Sequence, residues 1–363
     1  MKIAIDVSQM CYEGTGVARY VRGLTSALLL SDTSHDFILY AGTLRQRSFF
    51  TSLMKTSPWS KAIWKIIPIP PKLAGLTLNL LPFPFESLVG QVDLIHTSDW
   101  AEPSSTCPRV TTVHDLVFKK YPETVDKLIL TTQIRRMAKV VSDNTFIIAD
   151  STSTKIDLME IYGVQDSLIE VIYPGIDSAY SPQSQTEIDR VKSKYHLPSS
   201  YVLSIGKDEP RKNLDRLVKA CDDLGIPLVL TGKAGWGNSS GRSTKGVIST
   251  GFVDDADLPA LYSGAHVFAY PSLYEGFGFP VLEAMACGAP VVTSNISSLP
   301  EIVGSAGVLV DPTNLEDIKQ GILKAGENRS LYKKLGLAQA QKFSWEITAK
   351  QVMEVYEKIV NRD

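Results

Sequence analysis

The sequence predicts an α/β protein built from two doubly wound parallel sheets. Short β-branched runs alternate with amphipathic helical stretches along the chain, as expected of parallel strands joined by crossover helices. The alternation stops at a polar passage, residues 181–200, and then restarts. The chain has 363 residues, and roughly 150 residues per domain allows two domains. Hydrophobic residues make up 44% of the chain, which is enough for two packed cores.

Seven strands are predicted before the polar passage and six after it. The first set is 2–7, 37–40, 64–69, 92–96, 110–113, 145–149 and 169–172. The second set is 201–205, 228–231, 247–250, 266–269, 291–293 and 308–310. We therefore predict domains at residues 1–176 and 177–363. The last helix, about 343–360, is expected to pack on its own domain and could also cross back to pack on the first.

Doubly wound sheets bind ligands in the crevice outside the carboxyl ends of their strands. Two such domains in tandem predict a cleft lined by the loops that follow the strands of both sheets. Side chains with functional chemistry are therefore sought on those loops.

Charge and cysteine content exclude several classes of protein. Lys and Arg number 37 against 39 Asp and Glu, a net charge of −2 that argues against binding to nucleic acid. The four cysteines are far apart and form no Cys-x-x-Cys pair, so neither a zinc site nor a disulfide scaffold is predicted. No apolar run reaches the ~18 residues of a membrane-spanning helix, and the first residues do not resemble a signal peptide. We expect a cytoplasmic protein.

The segment YEGFGFPVLEAMACGAPVV, residues 274–292, is predicted to be a glycine loop followed by a helix. Gly276 and Gly278 allow close approach of a ligand, and Pro280 suits the first helical turn, where unpaired amides attract a diphosphate. Glu275 and Glu283 can accept hydrogen bonds from sugar hydroxyls. Together these features predict a nucleotide-sugar site. The alternative is a solvated loop acid and a helix-dipole partner.

Cations are predicted near the same site, in the loop after the first strand of the second domain. They are Lys207, Arg211 and Lys212, before a helix that starts near Leu214. A cation placed there would stabilise the negative charge that develops on a departing diphosphate. A solvated basic loop that caps the helix is the alternative.

The first domain offers two candidate loops. Gly14, Thr15 and Gly16 follow its opening strand but lack the third glycine of a dinucleotide-binding loop, so NAD binding is disfavoured. A purely structural turn is the alternative. His114 and Asp115 follow the strand 110–113, where a lone histidine is more often structural than catalytic. Asp115 could orient His114 or meet an acceptor.

No metal site is predicted, since the one Asp-x-Asp motif in the second domain, Asp255-Ala-Asp257, opens a helix and is interpreted as its N-cap region. From residue 37 to residue 85 there are six basic residues and no acidic one. Two tryptophans lie among them, Trp59 and Trp64. Such a stretch could rest on an anionic membrane, or form a basic surface with buried tryptophans.

The segment EGFGFPVLEAMACGAPVV resembles the Glu-x7-Glu signature of retaining glycosyltransferases of family 4, which have the GT-B fold. Similar segments extend along nearly the whole chain: GTGVARYVRGLTSAL, TVHDL, ADSTSTKIDLMEIYGV, VIYPGID, EPRKNLDRLVKA, LTGKAGWG and GFVDDADLPALYSGA. The resemblance implies two Rossmann-like domains facing across a cleft. It also implies sugar transfer from a nucleoside-diphosphate sugar with retention of anomeric configuration.

The resemblance also implies roles for individual residues. Glu275 would touch the donor sugar, Glu283 would hold the ribose and His114 would contact the donor sugar. The family commonly has Arg five positions before Lys212; here that position is Lys207, so the second cation is either Lys207 or Arg211. The full set of implied donor-binding residues is Gly16, Lys207, Arg211, Lys212, Phe252, Val253, Glu275, Gly276, Phe277, Gly278 and Glu283. The implied catalytic residues are His114, Lys212 and Glu275, and those at the acceptor are Gly14, Thr15 and Asp115.

We therefore expect a metal-independent hexosyltransferase that needs no cofactor beyond its UDP- or GDP-linked substrate. A donor of the UDP-glucose or GDP-mannose type would bind the second domain. The acceptor hydroxyl, on a polysaccharide, oligosaccharide or lipid-linked glycan, would bind the first. Both a front-side and a covalent route to retention stay open. The rival interpretations are a sugar-nucleotide epimerase and a non-catalytic nucleotide-sugar-binding partner. Residues 45–72 are the expected contact with the inner face of the cytoplasmic membrane.

Overall fold

The chain forms two compact units in a computed structural model that describes residues 1–31, 34–69, 84–98, 100–232 and 246–361. The first unit is Met1–Gly175 together with Ser344–Asp363, and the second is Ile176–Phe343. The boundary at Gly175 lies one residue before the predicted one. The predicted range 177–363 is corrected at its end, because residues from Ser344 onward belong to the first unit. The predicted cleft stays a prediction.

The first unit contains a parallel sheet of seven strands within the described residues, in the order β3-β2-β1-β4-β5-β6-β7. Its strands are β1 Lys2–Asp6, β2 Asp36–Gly42, β3 Ile63–Ile67, β4 Leu94–Ser98, β5 Arg109–Val113, β6 Phe146–Ala149 and β7 Ile169–Val171. The described α-helices that precede β7 are α1 Gly16–Ser31, α2 Arg47–Leu53, α3 Glu86–Val89, α4 Val117–Lys120, α5 Lys127–Ser142 and α6 Thr152–Tyr162. The interior strand β1 is apolar from Ile3 to Ile5 and buried from Ile3 to Asp6, as expected of a strand covered on both faces.

The second unit repeats this architecture with six parallel strands among its described residues, in the order β10-β9-β8-β11-β12-β13. The strands are β8 Val202–Ile205, β9 Leu228–Thr231, β10 Val247–Gly251, β11 Val267–Tyr270, β12 Val291–Ser294 and β13 Val308–Val310. The helices are α7 Gln185–Lys194, α8 Leu214–Leu224, α9 Leu258–Ser263, α10 Phe279–Ala286, α11 Leu299–Val303, α12 Leu315–Glu327 and α13 Arg329–Ala340. Each sheet is doubly wound, so the predicted α/β fold class is confirmed.

Helices α7, α8 and α12 show why these segments fold where they do. Within the polar passage, the Ser184 hydroxyl accepts a bond from the Glu187 amide at 3.3 Å and caps α7. Leu217 of α8 and Ile318 of α12 pack with the apolar side chains of the central strands in one buried cluster. Burial of these stripes on the sheet drives the second unit to fold.

The last helix, α14, spans Trp345–Val360 and packs against α1. Its Trp345 ring lies where a side chain at Gly23 would be, since a Cβ there would lie 2.0 Å from Trp345 Cε2. Farther along α14, the Tyr356 hydroxyl lies 2.5 Å from His96 Nδ1 in the middle of β4. These contacts explain why α14 belongs with the first sheet. Among the described helices, α14 included, none combines the length and apolar character needed to cross a membrane.

Candidate functional site

The loop after β8 brings two cations to the carboxyl edge of the second sheet. A short 3-10 helix, Pro210–Lys212, follows this strand and ends at Asn213, whose φ of +57° turns the chain into α8. The Asn213 amide donates to the carbonyl oxygens of Pro271 at 3.0 Å and Pro312 at 2.7 Å. These bonds attach the loop to the segments that follow β11 and β13, and they fix the position of Lys212.

Glu275 is the centre of a buried cluster of charges. Its Oε1 atom lies 2.6 Å from Lys212 Nζ, and its Oε2 atom lies 2.9 Å from Arg211 Nη1. The other side of the Arg211 guanidinium contacts Glu209, with 3.0 Å from Nε to Oε2. Lys212 also donates to the Tyr270 hydroxyl, and its Nζ atom lies 4.7 Å from the centre of that ring. Glu275 and Lys212 are 8% and 9% exposed, so these charges are held almost out of water.

Burial and charge act in opposite directions on the pKa of Glu275. Burial raises that pKa, but the charges of Lys212 and Arg211 outweigh it and bring the pKa to about 2. Burial and the Arg211 charge lower the pKa of Lys212, whereas Glu275 raises it. Glu275 is therefore ionised at neutral pH and helps to keep Lys212 charged.

This arrangement predicts a pH-dependent contribution of Glu275 to stability. A carboxyl with a pKa of about 2 when folded and an ordinary value of 4.5 when unfolded stabilises the fold above pH 4.5. The stabilisation is lost as the pH falls from 4.5 towards 2. We expect Glu275→Gln to lower the free energy of unfolding by a few kcal/mol at pH 6, and by much less near pH 2.5.

Urea unfolding of both proteins across this pH range measures the effect. Glu354→Gln, at an exposed position of α14, is the control for loss of one negative charge. A difference between wild type and Glu275→Gln that stays constant with pH would contradict the prediction.

The glycine loop ends where α10 begins, as predicted. Gly278 has a φ of +117° and precedes the first residue of α10, with Pro280 in the first turn. Two serines form hydrogen bonds with the backbone of this loop. Ser297 Oγ accepts from the Glu275 amide at 3.1 Å, and Ser298 Oγ donates to the Phe277 carbonyl at 2.7 Å. Sequence reasoning missed both serines. Their only signal is a polar run directly after β12, the strand beside β11.

Glu283 is the second acid of the motif and lies in the middle of α10. It is 1% exposed, and its Oε2 atom accepts a bond from the Tyr262 hydroxyl at 2.7 Å. Tyr262 lies on α9 and is another residue that sequence reasoning missed, because its partner is far from it along the chain.

The remaining predicted donor residues fall into two groups. Gly276, Phe277 and Val253 are buried, whereas Lys207 is exposed and Phe252 is 60% exposed. Of the two candidates for the second cation, Arg211 is the one that shares Glu275 with Lys212. The loop after β8 is also tightly packed against the end of β9, because a Cβ at Gly232 would lie 2.1 Å from the Gly206 carbonyl oxygen.

The first unit places its predicted glycine loop at the start of α1. Gly14 has a φ of +80°, which favours glycine. The Thr15 hydroxyl accepts from the Ala18 amide at 3.2 Å and so caps α1, with Gly16 as the first helical residue. This turn is required by the local backbone. Its predicted contact with donor and acceptor stays a prediction.

His114 lies after β5 with a carboxylate partner. Its Nδ1 atom is 2.7 Å from Oδ2 of Asp150, and its ring meets the Tyr20 ring edge-on at 4.8 Å. Asp115 Oδ1 accepts from the Val117 amide at 2.9 Å at the start of α4. Asp150 was missed, although Val113 pairs with Ala149 in register and the next residues are therefore neighbours.

Asp257 and His96 have structural contacts. Asp257 Oδ1 binds Arg190 at 2.7 Å and its Oδ2 binds Lys194 at 2.6 Å, while its side chain makes no capping bond to α9. His96 is buried, and burial lowers its pKa to about 3. In the part of the chain that is described, no group of three His, Cys, Asp or Glu side chains is placed to hold a metal ion.

Comparison with known proteins agrees with this architecture. Residues 14–180 match the family model described as Glycosyltransferase Family 4, and residues 185–343 match Glycosyl transferases group 1. The O-antigen chain mannosyltransferase B of Escherichia coli is 36% identical over 268 residues, which cover 68% of this chain and 69% of that protein.

Solved structures with low sequence identity share the whole fold. Sucrose-phosphate synthase from Thermosynechococcus elongatus has a TM-score of 0.74 at 21% identity, covering 100% of both chains. Anabaena Alr3699/HepE in complex with UDP-glucose has a TM-score of 0.69 at 19% identity, covering 99% of this chain and 100% of the other. The two Rossmann-like units thus have the GT-B fold. The chain belongs to the glycosyltransferases of family 4.

Proposed function

We propose that this glycosyltransferase moves mannose, with retention and without a metal ion, from a nucleoside-diphosphate mannose to a hydroxyl of a glycan or lipid-linked acceptor. The observation that carries the proposal is the buried cluster in which Lys212 and Arg211 both bind Glu275 beside the first turn of α10. The second unit would hold the donor and the first the acceptor.

The cluster supplies the charges that such a reaction needs. The donor diphosphate would take Lys212, Arg211 and the first amides of α10 as partners, replacing Glu275 as the counter-ion. Glu275 would then be released to accept hydrogen bonds from the donor sugar, and Glu283 would hold the ribose. As the glycosidic bond breaks, the two cations stabilise the charge on the departing diphosphate, which is the task a metal ion performs elsewhere.

Mannose is favoured over glucose by the 36% identity to the O-antigen chain mannosyltransferase B of Escherichia coli. Of the two donor types that the sequence leaves open, this supports GDP-mannose. The UDP-glucose complex is of a protein only 19% identical to this chain, so it supports the fold and carries no weight for the sugar.

The test begins with binding and continues with transfer. Calorimetric titration with UDP and GDP identifies the base, and GDP-mannose with a panel of mannose-containing acceptors tests turnover. Selective GDP binding followed by transfer, with the product in the α configuration of the donor by NMR and with activity unchanged by EDTA, would support the proposal. Selective UDP binding and glucose transfer would overturn the choice of donor.

Two further outcomes would overturn transfer itself. Conversion of the donor to a new sugar nucleotide without acceptor would indicate an epimerase. Donor binding without transfer or slow hydrolysis would indicate a non-catalytic binding partner.

Contact with an anionic membrane is part of the proposal, and it rests on the basic residues between 45 and 72. Five of these cations are exposed: Arg45, Arg47, Lys55, Lys61 and Lys65. Leu44 and Ile63 are 55% and 48% exposed among them. The indole N–H groups of Trp59 and Trp64 instead bond within the fold, to Thr25 and to the Trp59 carbonyl. The sixth cation, Lys72, lies outside the described residues.

We therefore expect the protein to sediment with vesicles that contain phosphatidylserine and not with pure phosphatidylcholine vesicles. The triple variant Lys55→Glu, Lys61→Glu, Lys65→Glu should lose this binding, since each cation near the surface adds about 1 kcal/mol. The matched variant Lys324→Glu, Lys334→Glu, Lys342→Glu, at three exposed positions of the second unit, should keep it. Equal sedimentation of all three proteins would contradict the prediction.

A further inference from the structure

The hydrogen bond between Tyr262 and Glu283 joins two buried side chains. Tyr262 is 0% exposed and Glu283 is 1% exposed, and 2.7 Å separates the phenol oxygen from Oε2. A carboxylate removed from water in this way requires hydrogen-bond donors from the protein. The phenol hydroxyl of Tyr262 is such a donor, and it orients the carboxylate without neutralising its charge. Glu275 in the same motif is bound instead by two cations.

Packing fixes the Tyr262 ring in place, so that its hydroxyl can orient the Glu283 carboxylate. It meets the Phe268 ring of β11 edge-on at 5.3 Å. The next residue, Ser263, donates from its hydroxyl to the Cys287 carbonyl at 3.1 Å. Since Glu283 and Cys287 are one turn apart, α9 braces α10 at two successive turns, and the phenol is aimed at Glu283 by both contacts.

We infer that Tyr262 is the positioning residue for Glu283 and that it sets the preference of the site for ribose over deoxyribose. The inference rests on the proposed function, in which Glu283 binds the ribose hydroxyls of the donor. With Oε2 held by the phenol, the carboxylate plane is set before the nucleotide arrives. Loss of the phenol hydroxyl would remove one of the contacts that orient the carboxylate, and the ribose hydroxyl would meet a less well prearranged acceptor.

The effect should therefore depend on one hydroxyl of the ligand. Tyr262→Phe should bind the ribonucleoside diphosphate about tenfold more weakly, the value of one hydrogen bond to a charged group. It should bind the analogue that lacks the recognised hydroxyl as well as wild type does. If Tyr262 had only a structural role, Tyr262→Phe would weaken the binding of all these ligands by the same factor.

Isothermal titration calorimetry with UDP, GDP and the 2′-deoxy and 3′-deoxy forms of each tests this inference. Tyr201→Phe is the matched control, because Tyr201 is also fully buried in the second unit and its hydroxyl donates to the Leu261 carbonyl at 2.9 Å. Thermal unfolding of both variants measures the loss of stability separately. We expect the preference for ribose to fall about tenfold in Tyr262→Phe and to stay at the wild-type value in Tyr201→Phe.

The outcomes separate the inference from the proposed function. A wild-type protein that binds neither UDP nor GDP would overturn the proposed function. A wild-type protein that binds one of them but does not distinguish either deoxy form would overturn the ribose role of Glu283, and that of Tyr262 with it. Full discrimination retained by Tyr262→Phe would overturn the inference alone, as would an equal loss in both variants.

Discussion

Lys212→Ala should lower kcat/KM for sugar transfer by at least about 100-fold, or roughly 2.7 kcal/mol of transition-state stabilisation. The Lys212 ammonium is 9% exposed, and in such a poorly hydrated place its attraction for a phosphate oxygen is stronger than in water. Negative charge on the diphosphate grows as the glycosidic bond breaks. The loss should therefore fall more on kcat than on KM.

The fold should tolerate this change, because Arg211 remains bonded to Glu275 and continues to balance its charge. Steady-state transfer from the nucleotide sugar identified by calorimetry measures the effect. Lys219→Ala removes an exposed lysine from α8 and is the control for loss of one positive charge from the same loop-helix unit. Near-normal turnover in Lys212→Ala would remove its catalytic role.

Glu275→Ala should reduce transfer by at least about 100-fold and should also destabilise the protein. The change removes a predicted contact with the donor sugar and leaves two buried cations without their shared carboxylate. Breaking a buried ion pair from one side costs about 3–5 kcal/mol. Without Glu275 the pKa of Lys212, already lowered by burial and by Arg211, should fall further.

A second buried carboxylate separates the two effects. Asp157 is 5% exposed and lies 2.5 Å from Lys120, whose side chain is 36% exposed, so Asp157→Ala also removes the buried carboxylate of an ion pair. Both variants should show a lower melting temperature, whereas only Glu275→Ala should lose transfer when the rates are measured well below either transition. Equal turnover per folded molecule in the two variants would show that Glu275 is structural.

The strands were accessible to prediction because parallel strands buried on both faces have a local signature of continuous β-branched and apolar residues. The ends of strands are harder to predict. The run predicted at 92–96 is β4, which reaches Ser98 because Thr97 and Ser98 pair with Thr111 and Thr112 of β5. Two polar residues thus continue a strand through pairing with a neighbour, a contact that no local pattern reveals.

The site divides in the same way between local and distant information. Glu275 and Lys212 lie in short motifs whose glycines, proline and charges are adjacent in sequence, so their chemistry could be predicted. The choice between Lys207 and Arg211 depends on how the 3-10 helix Pro210–Lys212 turns, which spacing alone does not determine. Tyr262 is 21 residues from its partner and has no pattern of its own.

The return of α14 to the first unit determines the order in which the two halves can mature during translation. The second unit is one uninterrupted segment, Ile176–Phe343, and it can complete its core as soon as it leaves the ribosome. The first unit emerges earlier but lacks α14. The positions that α14 contacts, around Gly23 and His96, therefore stay uncovered until that helix is made. The first unit is thus synthesised first but completed last. Newly made chains can aggregate through its uncovered surface until Trp345 and Tyr356 have been synthesised and have packed there.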